Sequence, residues 1–190
     1  MIMPHYLRIG EKKLSRIRLT IHPGATVTEV FSLLRKVEIV GLPHSPQTII
    51  YAVLELVSNS LRALSKKTDP APVYVTLAFK DGSFTAEVRD EAGGFDPSTL
   101  PYDINLPADR IDIESKAFHA YREANGNRHF GLGLYIAKKV FDRLEIHFFD
   151  STGNEVPWDA QEKHGTLIRG SIAIGAPHGA ARREAESTSR

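Results

Sequence analysis

The sequence contains no cysteine, and this absence removes several kinds of chemistry together. Disulfides, thiol nucleophiles and zinc–thiolate sites all require that residue. No stretch approaches the roughly 18 uninterrupted apolar residues of a membrane span, and the N-terminal segment lacks the apolar core of a secretory signal. The sequence therefore predicts a soluble, cytoplasmic protein with no membrane partner.

An excess of charge of one sign is also missing. The chain has 24 Lys and Arg residues against 23 Asp and Glu residues, so its formal net charge is +1. Proteins that track a nucleic acid backbone usually carry a clear basic excess, so we expect no nucleic acid partner. The chain does contain 42% hydrophobic residues over 190 positions, which is enough for the core of one domain. We predict a single domain over residues 1–175 and a flexible tail over residues 176–190, where small, polar and charged residues dominate.

Hydrophobic periodicity predicts the order of the secondary structure elements. An alternating pattern predicts strands over residues 14–21, 73–79, 83–89, 144–149 and 166–174. Helical spacing predicts one helix after the capping-box residues Thr26 and Glu29, one from Ser45-Pro46 to about residue 67, and one over residues 132–142.

A tight turn and one long loop complete this outline. Asp81-Gly82 joins two predicted strands and is a strong hairpin signal. Residues 93–128 show weak periodicity, and a loop of this length is usually functional or disordered. Because helices and strands do not alternate strictly, the pattern favours an α+β sandwich in which helices cover one face of a single mixed sheet.

Two polar residues interrupt the apolar second helix. Glu55 and Asn59 are four residues apart, so they project from the same face of the helix, one turn apart. A carboxylate and an amide on a mostly buried helix need partners, because burying them unpaired is costly. A Mg²⁺–phosphate group could supply these partners. Backbone groups or water could do so as well, so this motif alone leaves both interpretations open.

Two glycines follow an acidic residue at the end of a predicted strand. Asp90 closes the strand, and Gly93 and Gly94 come shortly after it. Glycines let a flat ligand approach the backbone because no Cβ intervenes. A carboxylate at this place can accept a hydrogen bond from an exocyclic amine such as that of adenine. Asp and Gly are also the commonest turn residues, so a simple turn is the plainer interpretation of this motif alone.

Two later features complete the set of candidates. Gly131 and Gly133 open an amphipathic helix, and helix N-termini offer free N–H groups and a positive dipole end that suit phosphate. Their spacing matches neither the dinucleotide fingerprint nor the P-loop. Thr166 begins the last strand, where it could hydrogen bond Asp90 or a neighbouring water, although most threonines in strands simply pack.

Taken in this order, the motifs resemble the N, G1 and G2 boxes of the GHKL superfamily, whose members share the Bergerat-type ATP-binding fold. The order is Glu-x-x-x-Asn on a helix, Asp-x-x-Gly-Gly after a strand, a long loop, Gly-x-Gly opening a helix, and Gly-Thr on a strand. The resemblance spans about residues 20–174. Ala92 stands where the commonest G1 pattern has its first glycine. Since a small residue is kept there, we expect the adenine contact to survive.

The resemblance implies ATP and Mg²⁺ as cofactors and a base-binding end of the site. Asp90 would bind the adenine amine, Gly94 would let the base lie close, and Thr166 would support Asp90. Residues 93–128 would form an ATP lid that becomes ordered over bound nucleotide.

The resemblance also implies a phosphate-binding end. Asn59 would hold Mg²⁺, and Arg62 would face the phosphates. The backbone N–H groups of Gly131 and Gly133 would cradle the phosphates. Glu55 matches the catalytic carboxylate of the family's ATPases and serine kinases, which polarises a water or hydroxyl nucleophile.

Three functions remain open for a chain of this family. Glu55, the stretch from Asp90 to Pro97, and a strand and helix directly before the Glu55 helix are similar to anti-sigma-factor serine kinases. This similarity predicts a stand-alone kinase or ATP-dependent switch acting on a protein partner. The Gly-Leu-Gly-Leu stretch looks more like histidine kinases, which predicts transfer to a histidine of another chain. The third hypothesis is a nucleotide-gated binding module without turnover. A homodimer is possible under each hypothesis.

Overall fold

The computed structural model describes residues 4–124 and 132–174. Gly131, the last part of the predicted lid and the predicted tail over residues 176–190 lie outside the described residues. The elements follow in this order: β1 (Tyr6–Ile9), β2 (Lys12–Leu14), β3 (Arg16–Ile21), α1 (Val27–Leu34), β4 (Glu38–Val40), α2 (Pro46–Leu64), β5 (Val73–Lys80), β6 (Ser83–Asp90), α3 (Lys116–Ala124), α4 (Leu132–Val140), β7 (Arg143–Phe149), β8 (Glu155–Val156) and β9 (Gly165–Ala173). Two short 3₁₀ turns, Pro97–Thr99 and Ala108–Arg110, precede α3.

The strands form two sheets. Six strands pair in the order β3-β5-β6-β9-β7-β8, and three short strands pair in the order β2-β1-β4. Every neighbouring pair within the described residues is antiparallel. The predicted α+β sandwich is confirmed, but the prediction of one mixed sheet is wrong in two details. The strands form two sheets instead of one, and the pairing is antiparallel instead of mixed. The second sheet was missed because strands of three or four residues are too short to show a period of two.

The helices cover one face of the large sheet, as predicted. Alternate residues of β6 are buried, and α2 packs on β5 and β6 while α4 packs on α2 and β7. The opposite face carries a polar row that runs across five strands: Arg18, Thr76, Glu87, Arg169 and Glu145. Within that row Arg169 Nε donates to Glu87 Oε1 at 2.8 Å. The apolar core therefore lies between the sheet and α2, on one side only.

Local sequence signals explain how several elements begin and turn. The predicted capping box is confirmed: Glu29 N donates to Thr26 Oγ1 at 3.2 Å, and Thr26 N donates to Glu29 Oε2 at 2.8 Å. Asp81 and Gly82 have φ values of 48° and 70°, as the predicted hairpin requires. Pro46 is the first residue of α2, at the predicted start. Ser45 precedes it as N-cap residue but makes no side-chain cap, because its Oγ donates to Gln47 Oε1 at 2.7 Å.

The described part of the predicted lid contains more structure than a loop. Besides the two 3₁₀ turns it contains α3, whose Phe118 is fully buried. Tyr102 stacks on Phe118 with ring centroids 5.8 Å apart and planes 9° from parallel. Burial raises the pKa of the Tyr102 hydroxyl far above its ordinary range, so the ring stays neutral in this contact. A hydrogen bond from Lys138 Nζ to the Ile104 carbonyl ties the same segment to α4.

Within residues 4–124 and 132–174, no helix has both the length and the apolar character that crossing a bilayer requires.

Candidate functional site

Helix α2 directs Glu55 and Asn59 towards the start of α4. If Gly133 carried a Cβ, that atom would lie 2.7 Å from Asn59 Nδ2 and 3.4 Å from Glu55 Oε2. Both side chains are only partly buried. A carboxylate, an amide and a helix N-terminus thus meet at one place, and glycine is what allows α4 to come so close.

Arg62 lies beside Asn59 and close to α3. Its Nη1 donates to Asn59 Oδ1 at 3.2 Å from one turn further along α2. Burial raises the pKa of Tyr121 on α3, and the nearby positive charge of Arg62 acts in the opposite direction. Arg62 therefore lies between Asn59 and α3.

Asp90 is the last residue of β6 and is buried, with only 6% of its surface exposed. Ser60 Oγ donates to its Oδ2 at 2.6 Å, and the Ala92 backbone N donates to its Oδ1 at 3.0 Å. Burial raises the pKa of Asp90, while these two hydrogen bonds and the charge of Lys67 partly oppose that rise. Each oxygen keeps unused acceptor capacity, so the carboxylate can still receive a hydrogen bond from a ligand.

Ser60 is a site residue that was not predicted from the sequence. It is 4% exposed and follows Asn59 directly on α2, among apolar residues that form the core. The available signal was a small hydroxyl residue on the buried face of an apolar helix, where a hydroxyl needs a partner. Asp90 is that partner, so one helix orients the carboxylate with Ser60 and presents Asn59 to α4.

The glycine turn after Asp90 packs against β7 and the segment before β9. Gly93 and Gly94 have φ values of 92° and 72°, which side chains rarely adopt. A Cβ on Gly94 would lie 3.0 Å from Phe148 Cδ1 and 3.2 Å from Lys163 Cδ. The backbone is therefore tightly enclosed at Gly94, with no room for a side chain between the turn and these neighbours.

Thr166 lies directly opposite Asp90 in the pairing of β6 with β9 and is 3% exposed. Its predicted role was to support Asp90, and its position across the strands is suited to that. The hydroxyl that the structure places on Asp90 Oδ2 is that of Ser60, at 2.6 Å.

The candidate residues form two groups that α2 joins. Glu55, Asn59, Arg62 and Gly133 lie together at the start of α4. Asp90, Gly94 and Thr166 lie together where β6, β7 and β9 meet. The two groups meet at neighbouring residues of α2, because Asn59 belongs to the first and Ser60 donates to Asp90 of the second. Gly131 lies outside the described residues.

Comparison with known proteins identifies a family for this chain. A family model for the histidine kinase-like ATPase domain matches residues 23–157, well over half of the chain. No curated protein matches the chain. The matched region includes α1, α2, the Asp90 turn and α4, whereas Thr166 and β9 lie beyond its end. The match supports ATP binding and a kinase-like or ATPase activity in general terms. This chain belongs to the histidine kinase-like ATPase domain family.

Proposed function

We propose that this domain uses Mg-ATP as a stand-alone protein kinase or ATP-dependent switch acting on a protein partner, of the anti-sigma-factor serine kinase type. One observation carries the proposal: Glu55 lies beside Asn59 against the N-terminus of α4, with its Oε2 3.4 Å from the Cβ position of Gly133. A binding module needs donors for the phosphates. A transferase also needs a base beside them, and Glu55 is a carboxylate in that place.

The base end would hold adenine. Asp90 would accept a hydrogen bond from the adenine amine while Ser60 and the Ala92 N–H keep the carboxylate oriented. Gly94 would let the ring approach the backbone from the side away from Phe148 and Lys163, and Thr166 would support Asp90 from the neighbouring strand. This order of groups leaves the phosphates to extend along α2 towards Glu55.

The phosphate end would hold the triphosphate and Mg²⁺. Asn59 would be the protein ligand of the metal, Arg62 would face the phosphates, and the N–H groups of Gly131 and Gly133 would bind phosphate oxygens. The described residues contain no cluster of three or more His, Cys, Asp and Glu side chains. This donor set fits Mg²⁺, which usually takes few protein ligands and completes its coordination with phosphates and water. When bound, Mg²⁺ would neutralise phosphate charge.

Glu55 would receive the proton in the transfer step. The acceptor hydroxyl oxygen forms a bond to the γ-phosphorus, the bond from that phosphorus to the β–γ bridging oxygen breaks, and ADP leaves with the electron pair. The hydroxyl proton passes to the Glu55 carboxylate. In a switch that hydrolyses ATP, water takes the place of the hydroxyl.

Transfer of label from ATP tests this proposal. The purified chain is incubated with Mg²⁺ and γ-labelled ATP, with and without the soluble proteins of its host, and labelled products are tested for acid stability. We expect an acid-stable label on a partner protein, and we expect this label to be absent when the Glu55→Gln variant replaces the wild type. An acid-labile label would instead identify a histidine acceptor in another chain, the function that the Gly-Leu-Gly-Leu stretch favours. Tight ATP binding with no label would indicate a nucleotide-gated binding module.

A further inference from the structure

A groove lies beside α2, on the continuation of the face that carries Glu55. It has a volume of about 610 Å³ and is lined by residues 37–40, by Phe31 and Arg35 at the end of α1, and by Gln47 and Tyr51 of α2. Tyr51 and Phe31 stack with ring centroids 5.3 Å apart, and Tyr51 is still 53% exposed. An exposed tyrosine that stacks on a partly buried aromatic ring, in a groove of this size, is typical of a binding surface.

One wall of this groove is a free strand edge. Residues 38–40 form β4, an outer strand of the three-stranded sheet, and β1 is its single sheet neighbour among the described residues. Alternate residues of an antiparallel strand direct their N–H and C=O groups to opposite sides. Part of the β4 backbone is therefore unpaired within the sheet, and an extended chain that enters the groove beside β4 could pair with it.

The charge of the groove selects the chemistry of such a chain. Glu38 is held by Arg8, whose Nε donates to Glu38 Oε2 at 2.9 Å, so its negative charge is balanced. Arg35 lies over the Phe31 ring, 5.4 Å from its centroid, and forms no ion pair with a described residue. The first turn of α2 has no side-chain cap, so the positive end of its dipole also faces this region. Of the two charged residues that line the groove, Glu38 is neutralised by Arg8 and Arg35 is not, so the lining carries a net positive charge.

The position of the groove relates it to the transfer site. Tyr51, Glu55 and Asn59 follow one another at intervals of four residues, so each lies about 6 Å further along the same face of α2. A chain paired with β4 and packed on Tyr51 could continue towards Glu55 within a few residues. This is where an acceptor hydroxyl must arrive.

We propose that this groove docks an extended, acidic segment of the phospho-acceptor protein, which adds to β4 as a strand and packs on Tyr51. This inference rests on the proposed function, because it assigns the groove to the acceptor. Strand pairing provides affinity without sequence demands, Arg35 selects for acidic residues, and Tyr51 sets the side of the chain that faces α2.

Short synthetic peptides test the docking directly. The probe is an acetylated peptide of alternating Glu and Val residues, followed through the amide signals of the ¹⁵N-labelled full chain. We expect shifts at residues 37–40 and in the first turns of α2. Replacing Glu by Lys in the peptide should abolish them. N-methylation of alternate peptide amides should block binding in one register and leave it intact in the other.

Paired variants separate docking from catalysis. Arg35→Glu should weaken peptide binding about fivefold to tenfold, and Tyr51→Ser should weaken it by a similar factor. Lys36→Glu is the matched control, because it makes the same charge change one residue away and does not line the groove. ATP affinity by calorimetry should be unchanged in all three variants.

Several results would overturn the proposal. Equal binding of the Glu and Lys peptides would remove the charge argument. Shifts of amide signals centred on the polar face of the large sheet would place the peptide-docking surface there instead of in the groove. Concentration-dependent dimerisation without peptide, with the shifts at β4, would assign the groove to a second copy of the chain. If peptide binds at β4 but label transfer fails with every partner, the docking surface stands and the kinase function falls.

Discussion

At the residue scale, the buried carboxylate of Asp90 is expected to affect the stability of the fold and the binding of ATP in opposite directions. Removal from water raises its pKa, so in the interval between the unfolded and folded pKa values the folded state binds the proton more tightly. The stability contribution of this group is therefore full below its unfolded pKa and is lost as pH rises through the folded pKa. At neutral pH, Asp90 lowers the free energy of unfolding, which is a cost that a binding role explains.

Asp90→Asn tests this explanation. The amide keeps the shape of the side chain and can still bond Ser60 and the Ala92 N–H, while the penalty for a buried charge disappears. We expect a melting temperature equal to or above that of the wild type at pH 7 and an ATP affinity lower by about 10- to 100-fold, as for a lost charged hydrogen bond. Calorimetry measures the affinity. Glu87→Gln, on the opposite face of β6, is the control. Unchanged ATP affinity in Asp90→Asn would remove the adenine-site assignment.

Glu55→Gln separates binding from turnover at the other end of the site. The amide has nearly the same size but cannot accept a proton in the transfer step. We therefore expect ATP affinity within about twofold of the wild type and a rate of label transfer or hydrolysis reduced by about 100-fold or more. Single-turnover kinetics with γ-labelled ATP measures the rate. A variant that turns over ATP at the original rate would show that Glu55 is not the base.

At the element scale, the approach of α4 to α2 depends on Gly133. Gly133→Ala improves the intrinsic helix propensity of α4 by about 0.5–1 kcal/mol, but the new methyl group meets Asn59 Nδ2 at 2.7 Å. Because this atom is the end of a flexible side chain, Asn59 should rotate away and the helix should stay in place.

The expected result of Gly133→Ala is a domain at least as stable as the wild type with weaker Mg-ATP binding. Thermal unfolding and calorimetry measure the two quantities. Gly24→Ala is the control, since its Cβ would make only an ordinary contact of 3.4 Å with His22. Loss of stability without loss of affinity would mean that Gly133 serves packing alone.

Elements with strong local signals were predictable from the sequence, and those that depend on tertiary contacts were not. The Asp81-Gly82 turn and the Thr26–Glu29 capping box are set by neighbouring residues. By contrast, β4 has three residues and exists because it pairs with β1, which is distant in sequence. Helix α3 buries Phe118 alone among its residues, so its apolar pattern is too weak to separate it from a loop.

The same division applies to the candidate site. That Glu55 and Asn59 lie together was predictable from their spacing, because helix geometry fixes which residues share a face. The hydrogen bond from Ser60 to Asp90 was not predictable, because it joins residues thirty positions apart across the core. Whether Ser60, Thr166 or both orient a carboxylate depends on the packing of α2 against the sheet, which no local pattern encodes.

At the scale of the whole molecule, α2 is both the centre of the core and the element that joins the two ends of the site. Ten of its residues are buried, and it contacts α1, α4, β4, β5 and β6. A ligand held by Asn59 at one end and by Asp90 at the other therefore acts on the element that the rest of the domain packs against. Binding should stabilise the domain as a unit.

Mg-ATP should thus raise the stability of the whole domain through ligand linkage. At a free concentration 100 times the dissociation constant, the increase is about 2.7 kcal/mol, which appears as a higher melting temperature in a single transition. Chelation of Mg²⁺ should reduce this increase, because phosphate charge at Asn59 and Arg62 would no longer be neutralised. Calorimetric scans at several ATP concentrations, with and without chelator, measure both effects. Asp90→Asn should lose about half of the increase if affinity falls about 10-fold and most of it if affinity falls about 100-fold. An equal increase in that variant would mean that ATP stabilises the domain at some other place than the site between α2 and β6.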